Sequence, residues 1–219
     1  MTNPLAPLTA TEIEKAVEIF RREHGDERAV FCSSGLDEPA KADVKAGRAV
    51  PRIVKFLGTD SVPDGGFEAY VNLAEDKVER LIRLGNDAQA PYGYYDLGVA
   101  VQLTKGNAEW LSAVKARGIA CDTEEDIERI QIDPWPAGGY AVDEIPVGHR
   151  AVRCIAFVRD DKTDNGYARP IHGLVCHVDV TAGQVVRVED SGVIPMPPNP
   201  GRFDAAHQER TRTDLKDLE

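Results

Sequence analysis

Five histidines, His24, His149, His172, His177 and His207, are the side chains best suited to hold a transition metal. Two imidazoles on one strand reach a common ion only from the same face, at i and i+2, because successive side chains alternate sides. No His-x-His pair occurs. His172 and His177 lie in one expected strand at an odd separation, so they point to opposite faces and read as solvated or locally hydrogen-bonded side chains. Cys32, Cys121, Cys154 and Cys176 form no Cys-x-x-Cys pair and read as free thiols in the core, with a Cys154–Cys176 bridge as the alternative. Patterns for an activated serine, a phosphate-cradling loop or a dinucleotide fold are absent, and Gly65-Gly66 and Gly138-Gly139 are isolated turn pairs. The acidic pairs Asp160-Asp161 and Glu124-Glu125 lie in polar connectors, without the apolar burial that separates carboxylate pKa values for acid–base work. No residue is assigned a catalytic, cofactor-binding or metal-binding role.

The elements that must position any site are short and alternate in type. Thr9-Ala-Thr-Glu12 has the form of a capping box, and Ile13, Ala16, Val17 and Phe20 follow at the spacing of a helix with one buried face, stopped at Gly25. Strands are expected near Ala29–Ser33, Ala49–Leu57, Phe67–Leu73 and Lys77–Leu84. After a polar link at 85–93 the recipe repeats. Helices are expected at Leu97–Leu103 and Ala108–Ala116, the latter capped by Asn107. Strands follow near Ile127–Asp133, Arg150–Arg159, Ile171–Val180 and Gln184–Asp190. This is an α+β pattern of two small domains, each an antiparallel sheet of about four strands packed on helix. Val71–Leu81 and Val178–Val188 echo one another as strand, tight turn, strand with an Arg at the same point, which either duplication or the generic demands of a hairpin would produce.

A chain of 219 residues suits one large domain or two small ones. A net charge of -11 argues against a nucleic-acid footprint, which needs a concentrated basic surface. Met1-Thr-Asn-Pro-Leu5 shows neither the basic nor the apolar part of an export leader, and no apolar run is long enough to span a bilayer, so a cytoplasmic protein with no membrane partner is expected.

Four stretches carry a resemblance: Asp133-Pro-Trp-Pro-Ala-Gly-Gly-Tyr140, Arg153-Cys-Ile-Ala-Phe-Val-Arg-Asp160, Tyr167-Ala-Arg-Pro-Ile-His-Gly-Leu174 and Val186 to Pro198. They resemble the third N-terminal domain of the copper-containing primary-amine oxidases, of the tyramine or phenethylamine oxidase type. Asn3–Ile13 and Asp37–Lys41 resemble the second N-terminal domain of that family. The resemblance implies cystatin-like domains at 1–90 and 91–203, with 204–219 a linker toward a catalytic domain that the chain lacks. It also implies copper and topaquinone in the full-length enzyme, a homodimer, and conversion of a primary amine, dioxygen and water to aldehyde, ammonia and hydrogen peroxide. Tyr94-Tyr95-Asp96 lacks the Asn of the quinone-forming motif, so its aromatics read as anchors of the following helix.

In that family the turn matching Asp133–Gly139 packs on the catalytic domain and helps line the substrate channel. By resemblance Pro134 and Trp135, and Leu97 on the facing helix, are the candidate channel residues, against the bland reading of Trp135 as core. The function implied is that of non-catalytic N-terminal domains supplying docking surface and part of a channel, inactive alone and without a cofactor of their own. The alternatives are a free-standing interaction module and a small enzyme with a cone-shaped sheet cavity.

Overall fold

A computed structural model of the chain describes residues 3–25, 27, 29–60, 66–85, 88–138, 142–161, 164–199, 201–202 and 207. They fall into two compact units, Met1–Gly98 with Ile145–Arg150 and Val99–Glu144 with Ala151–Glu219. Of the expected tail 204–219 only His207 is described, so that reading lies outside the described residues. None of the described helices is long and apolar enough to cross a membrane.

The first unit is a helix on one face of a sheet. Helix α1 (Ala10–His24) starts in the capping box read from the sequence: Thr9 Oγ1 accepts from Glu12 N at 3.3 Å, and Glu12 Oε2 accepts from Thr9 N at 2.9 Å. It ends at Gly25. Strand β1 (Val30–Leu36), the short helix α2 (Lys41–Lys45), and strands β2 (Ile53–Thr59), β3 (Gly66–Asn72) and β4 (Lys77–Arg83) follow, and the sheet runs β1-β2-β3-β4. Ala16, Ile19 and Phe20 of α1 meet Val54, Phe56, Phe67, Ala69 and Val71 in a closed core. The Phe20 ring stacks 4.8 Å from Phe67 and meets Phe31 edge-on at 5.3 Å. Gly58 is what lets β1 close on this cluster, since a Cβ there would sit 2.5 Å from both the Phe67 ring and the Val30 carbonyl oxygen.

The second unit comprises most of helix α3 (Tyr94–Gly106), helices α4 (Ala108–Ala116) and α5 (Glu124–Arg129), and strands β5 (Ile130–Pro136), β6 (Ala151–Val158), β7 (Leu174–Asp179) and β8 (Gln184–Asp190), paired antiparallel in that order. Asn107 caps α4 through Trp110 N at 2.9 Å, and Trp110 and Val114 are fully buried. The strand expected from Ile127 begins only at Ile130. Thr123 and Asp126 form a second capping box that turns 124–129 into helix first.

The echo between the hairpins is a match of register. Each partner pair of β3 and β4 recurs in β7 and β8 shifted by 107 residues: Phe67–Arg83 as Leu174–Asp190, Tyr70–Arg80 as His177–Arg187, Asn72–Lys77 as Asp179–Gln184. Both ladders slip at the same step, between Tyr70 and Val71 and between His177 and Val178. The left-handed turn position is Asp76 (φ 55°) in one hairpin and Gly183 (φ 68°) in the other, again the same offset. A hairpin need not repeat its bulge, so the shared slip favours duplication over generic hairpin demands.

The N-terminal strap is fixed by Arg52, just before β2. Its guanidinium meets Glu12 (Nε–Oε1 2.7 Å) and donates to the carbonyls of Ala6 (3.0 Å) and Pro7 (3.3 Å). The Arg52 bond, reinforced by the Thr9 N–H, holds the Glu12 carboxyl down to about 2 from an ordinary 4.5. A depressed folded-state pKa gives stability that is fully present above the unfolded value and lost as pH falls through the folded one. The stability gap between wild type and Glu12→Gln should therefore shrink steadily as pH falls from 4.5 toward about 2. Urea denaturation at stepped pH measures it, and a gap that stays constant across this range would refute the assignment.

Candidate functional site

The histidines do not converge. His24 lies tilted against Phe20 with ring centres 4.9 Å apart, and His172 lies in the turn before β7 rather than in the strand, which starts at Leu174. The expected shared strand is thus corrected: positive-φ Gly173 sits between the turn and the ladder. His177 is buried in β7, its Nε2 3.1 Å from Glu189 Oε2. Among the described residues no group of three or more His, Cys, Asp or Glu side chains is placed to hold a metal ion. One imidazole beside one carboxylate does not fit a copper centre.

Cys154 and Cys176 face each other across β6 and β7, yet both are free thiols, as are Cys32 and Cys121. Burial pushes the Cys154 thiol up to about 12 and raises Cys176, which makes both poor nucleophiles.

Tyr94 and Tyr95 do not anchor α3. They stand 95% and 66% exposed in its first turn. The anchor is Asp96, which is buried. Its Oδ2 accepts from Gly93 N at 2.9 Å and from Arg150 Nη2 at 2.7 Å, while Arg150 Nε donates to Oδ1 at 3.2 Å. Arg150 also donates to the carbonyls of Ala90 (3.0 Å) and Pro91 (3.1 Å), and its guanidinium lies 4.2 Å from the centre of the Tyr92 ring. One arginine thereby pins 90–96 to Ile145–Arg150 within the first unit.

Pro134 and Trp135 lie together on β5, at the sheet edge. Ile130 and Ile132 turn inward, and Gln131, Asp133 and Trp135 take the opposite face. Trp135 is 57% exposed, so the reading of it as core is overturned. Tyr167, which sequence reasoning did not single out, joins this face: its hydroxyl donates to Asp133 Oδ2 at 2.7 Å, its ring meets Phe157 edge-on at 4.9 Å, and it too is 56% exposed. The signal for it was an aromatic directly after the polar turn 160–166, placed by a 3-10 turn that Asn165 caps. Leu97 is half-buried on α3 and falls in the first unit, whereas Pro134 and Trp135 belong to the second.

No protein-family model matches the chain. It is similar to a primary amine oxidase of Arthrobacter sp. (strain P1), 32% identical over 219 residues that are 100% of this chain and 33% of that protein. Against a histamine oxidase of Arthrobacter globiformis it is 29% identical over 225 residues, 99% of the chain and 31% of the relative. The fold matches a copper-containing benzylamine oxidase from Hansenula polymorpha with a TM-score of 0.68 at 12% identity, over 93% of this chain and 32% of that one. The chain spans about a third of the length of the curated relatives it matches. Its similarity to copper-containing and other amine oxidases runs along the whole chain and corresponds to a part of those proteins.

Removing one member of a buried ion pair strands the other charge, at a cost of about 3–5 kcal/mol. Arg150→Met should destabilise the first unit by about that much in chemical denaturation, and adding Asp96→Asn should recover part of the loss. A single-variant cost under about 1 kcal/mol would mean that the pair does not hold the segment.

Proposed function

We propose that this chain is the non-catalytic N-terminal portion of a copper- and topaquinone-dependent primary-amine oxidase. In this reading the complete enzyme converts a primary amine, dioxygen and water to aldehyde, ammonia and hydrogen peroxide. This portion contributes docking surface for the catalytic domain and, through Pro134 and Trp135, part of the wall of the substrate channel. The observation that carries the reading is Trp135, more than half exposed on a strand that also holds Pro134 and Pro136. Fully burying a large apolar side chain is worth roughly 1.5–3 kcal/mol, part of which Trp135 leaves unrealised in its own unit. The prolines lack N–H donors and so disfavour another strand adding there, which leaves side-chain packing as the way to cover this face. Tyr167 beside Asp133 extends the same exposed aromatic surface. The channel role of Leu97, and the homodimer, rest on the resemblance alone.

Purified chain should bind no stoichiometric copper by metal analysis, develop no quinone absorbance after exposure to copper and oxygen, and release no peroxide with tyramine. Turnover with bound metal would overturn the reading. A separately produced amine-oxidase catalytic region should bind the chain, and Trp135→Ala should weaken that binding by roughly tenfold or more, as for a central aromatic contact. Unchanged affinity would remove Trp135 from the docking surface.

A further inference from the structure

The first unit carries exposed apolar side chains that the Trp135 face of the second unit does not account for. Tyr94 and Tyr95 open α3 almost entirely in solvent, and Val147 is 87% exposed. Each stands out from a stretch with buried roots: Asp96 follows the tyrosines, and Ile145 and Arg150 flank Val147.

The two stretches are zipped together. Gln89 Nε2 donates to the carbonyls of Gly148 (3.2 Å) and His149 (2.8 Å), while Arg150 donates to the carbonyls of Ala90 and Pro91 and to the Asp96 carboxylate. His149 N closes a tight turn on Pro146 O at 3.1 Å, and Gly148, at φ 90°, supplies the left-handed position that leaves Val147 at the tip. The backbone beneath all three side chains is therefore set before a partner arrives, which lowers the ordering cost of binding.

Composition marks the same place. Residues 88–95 (AQAPYGYY) and 145–149 (IPVGH) contain no Asp, Glu, Lys or Arg, although these types make up 29% of the chain. Asp96 and Arg150, which follow them in sequence, are buried against each other. Depleted charge with enriched aromatics is the make-up of an interface core, and tyrosine, with two side-chain torsions, gives large contact area at small entropic cost.

The occupant follows from charge and length. A second copy would bring the same net charge of -11 and repel the first. In the curated relatives the matched part is 33% and 31% of the protein, so the greater share of each is further polypeptide. We infer that Tyr94, Tyr95 and Val147 form a second docking surface, on the first unit, for the catalytic portion of the amine oxidase. That portion covers them with an uncharged face offering acceptors to the two tyrosine hydroxyls. The inference rests on the amine-oxidase reading above.

Biolayer interferometry between the full chain and the separately produced amine-oxidase catalytic region tests it. The double variant Tyr94→Ser/Tyr95→Ser should weaken binding roughly tenfold or more, and Val147→Ser should weaken it severalfold, with unchanged urea denaturation in both. Ile82→Ser, which alters another exposed apolar residue of the first unit, should bind as the unaltered chain does. Unchanged affinity in the tyrosine variant, with Trp135→Ala still weakened, would overturn this inference and leave the amine-oxidase reading standing. No binding by the unaltered chain would overturn both. An equal loss in Ile82→Ser would reduce the effect to general apolar stickiness and refute a defined surface. Sedimentation of the chain alone as a dimer that the tyrosine variant dissolves would assign the patch to a second copy and refute the inference as well.

Discussion

The guanidinium fork is the interaction on which the rest of this structure depends. A small sheet with one helix layer buries a single face, and the connecting segments have no ladder to satisfy their carbonyls. Arg52, Arg117 and Arg150 solve this in the same way: each meets one carboxylate (Glu12, Asp190, Asp96) and also donates to loop carbonyls. Arginine carries five donors in a rigid plane and keeps its charge at any physiological pH. A lysine could match the charge of each clamp but not its several directions. The strap 4–7, the segment 90–96 and the turns at Gly173 and Gly192 take their courses from these clamps.

The repeated hairpin shows what the fold requires and what it leaves free. Register, bulge and left-handed turn position coincide through an offset of 107 residues. So does the use of the last residue of the inner strand, where Asn72 Oδ1 accepts from Glu75 N and Asp179 Oδ1 from Ala182 N. The chemistry on the opposite face has diverged. Tyr70 lies 3.8 Å under the Arg80 guanidinium, whereas at the matching pair His177 bonds Glu189 beside Arg187. The backbone solution is kept because a one-residue slip would turn every core side chain outward. Pairs on the face turned away from the core carry no such penalty.

What was legible in the sequence was local. The Thr9 box, the Asn107 cap and the strand–turn–strand runs each involve residues within a few positions, and each formed as read. Helix α5 was missed because six residues are too few to show periodicity, and its box closes with Asp126 rather than Glu. The Asp96–Arg150 pair spans a separation of 54 residues, and nothing in either neighbourhood announces the other. Tyr94 and Tyr95 were misread for the same reason: aromatic content suggested an anchor, but the anchoring groups came from Asp96 and a distant arginine. Trp135 was undecidable from composition, since a Pro-flanked tryptophan serves core and surface equally well, and only the inward turn of Ile130 and Ile132 assigns it to the open face.

The charge balance then bears on which ligands each surface suits. A clamp cancels one carboxylate per arginine, so the excess of 37 acidic over 26 basic residues survives every pairing. Its long-range field favours cations such as alkylammonium ions, but salt screens it beyond roughly 8–10 Å, so only carboxylates close to an approach path matter. Asp133 is one such group on the Trp135 face, held by Tyr167 Oη at 2.7 Å and Gln131 Nε2 at 3.2 Å. An exposed cation–π contact is worth about 0.5–1 kcal/mol, too little to bind an amine for long. On the proposed reading this face would therefore pass an ammonium group along rather than retain it, which is what a channel wall requires.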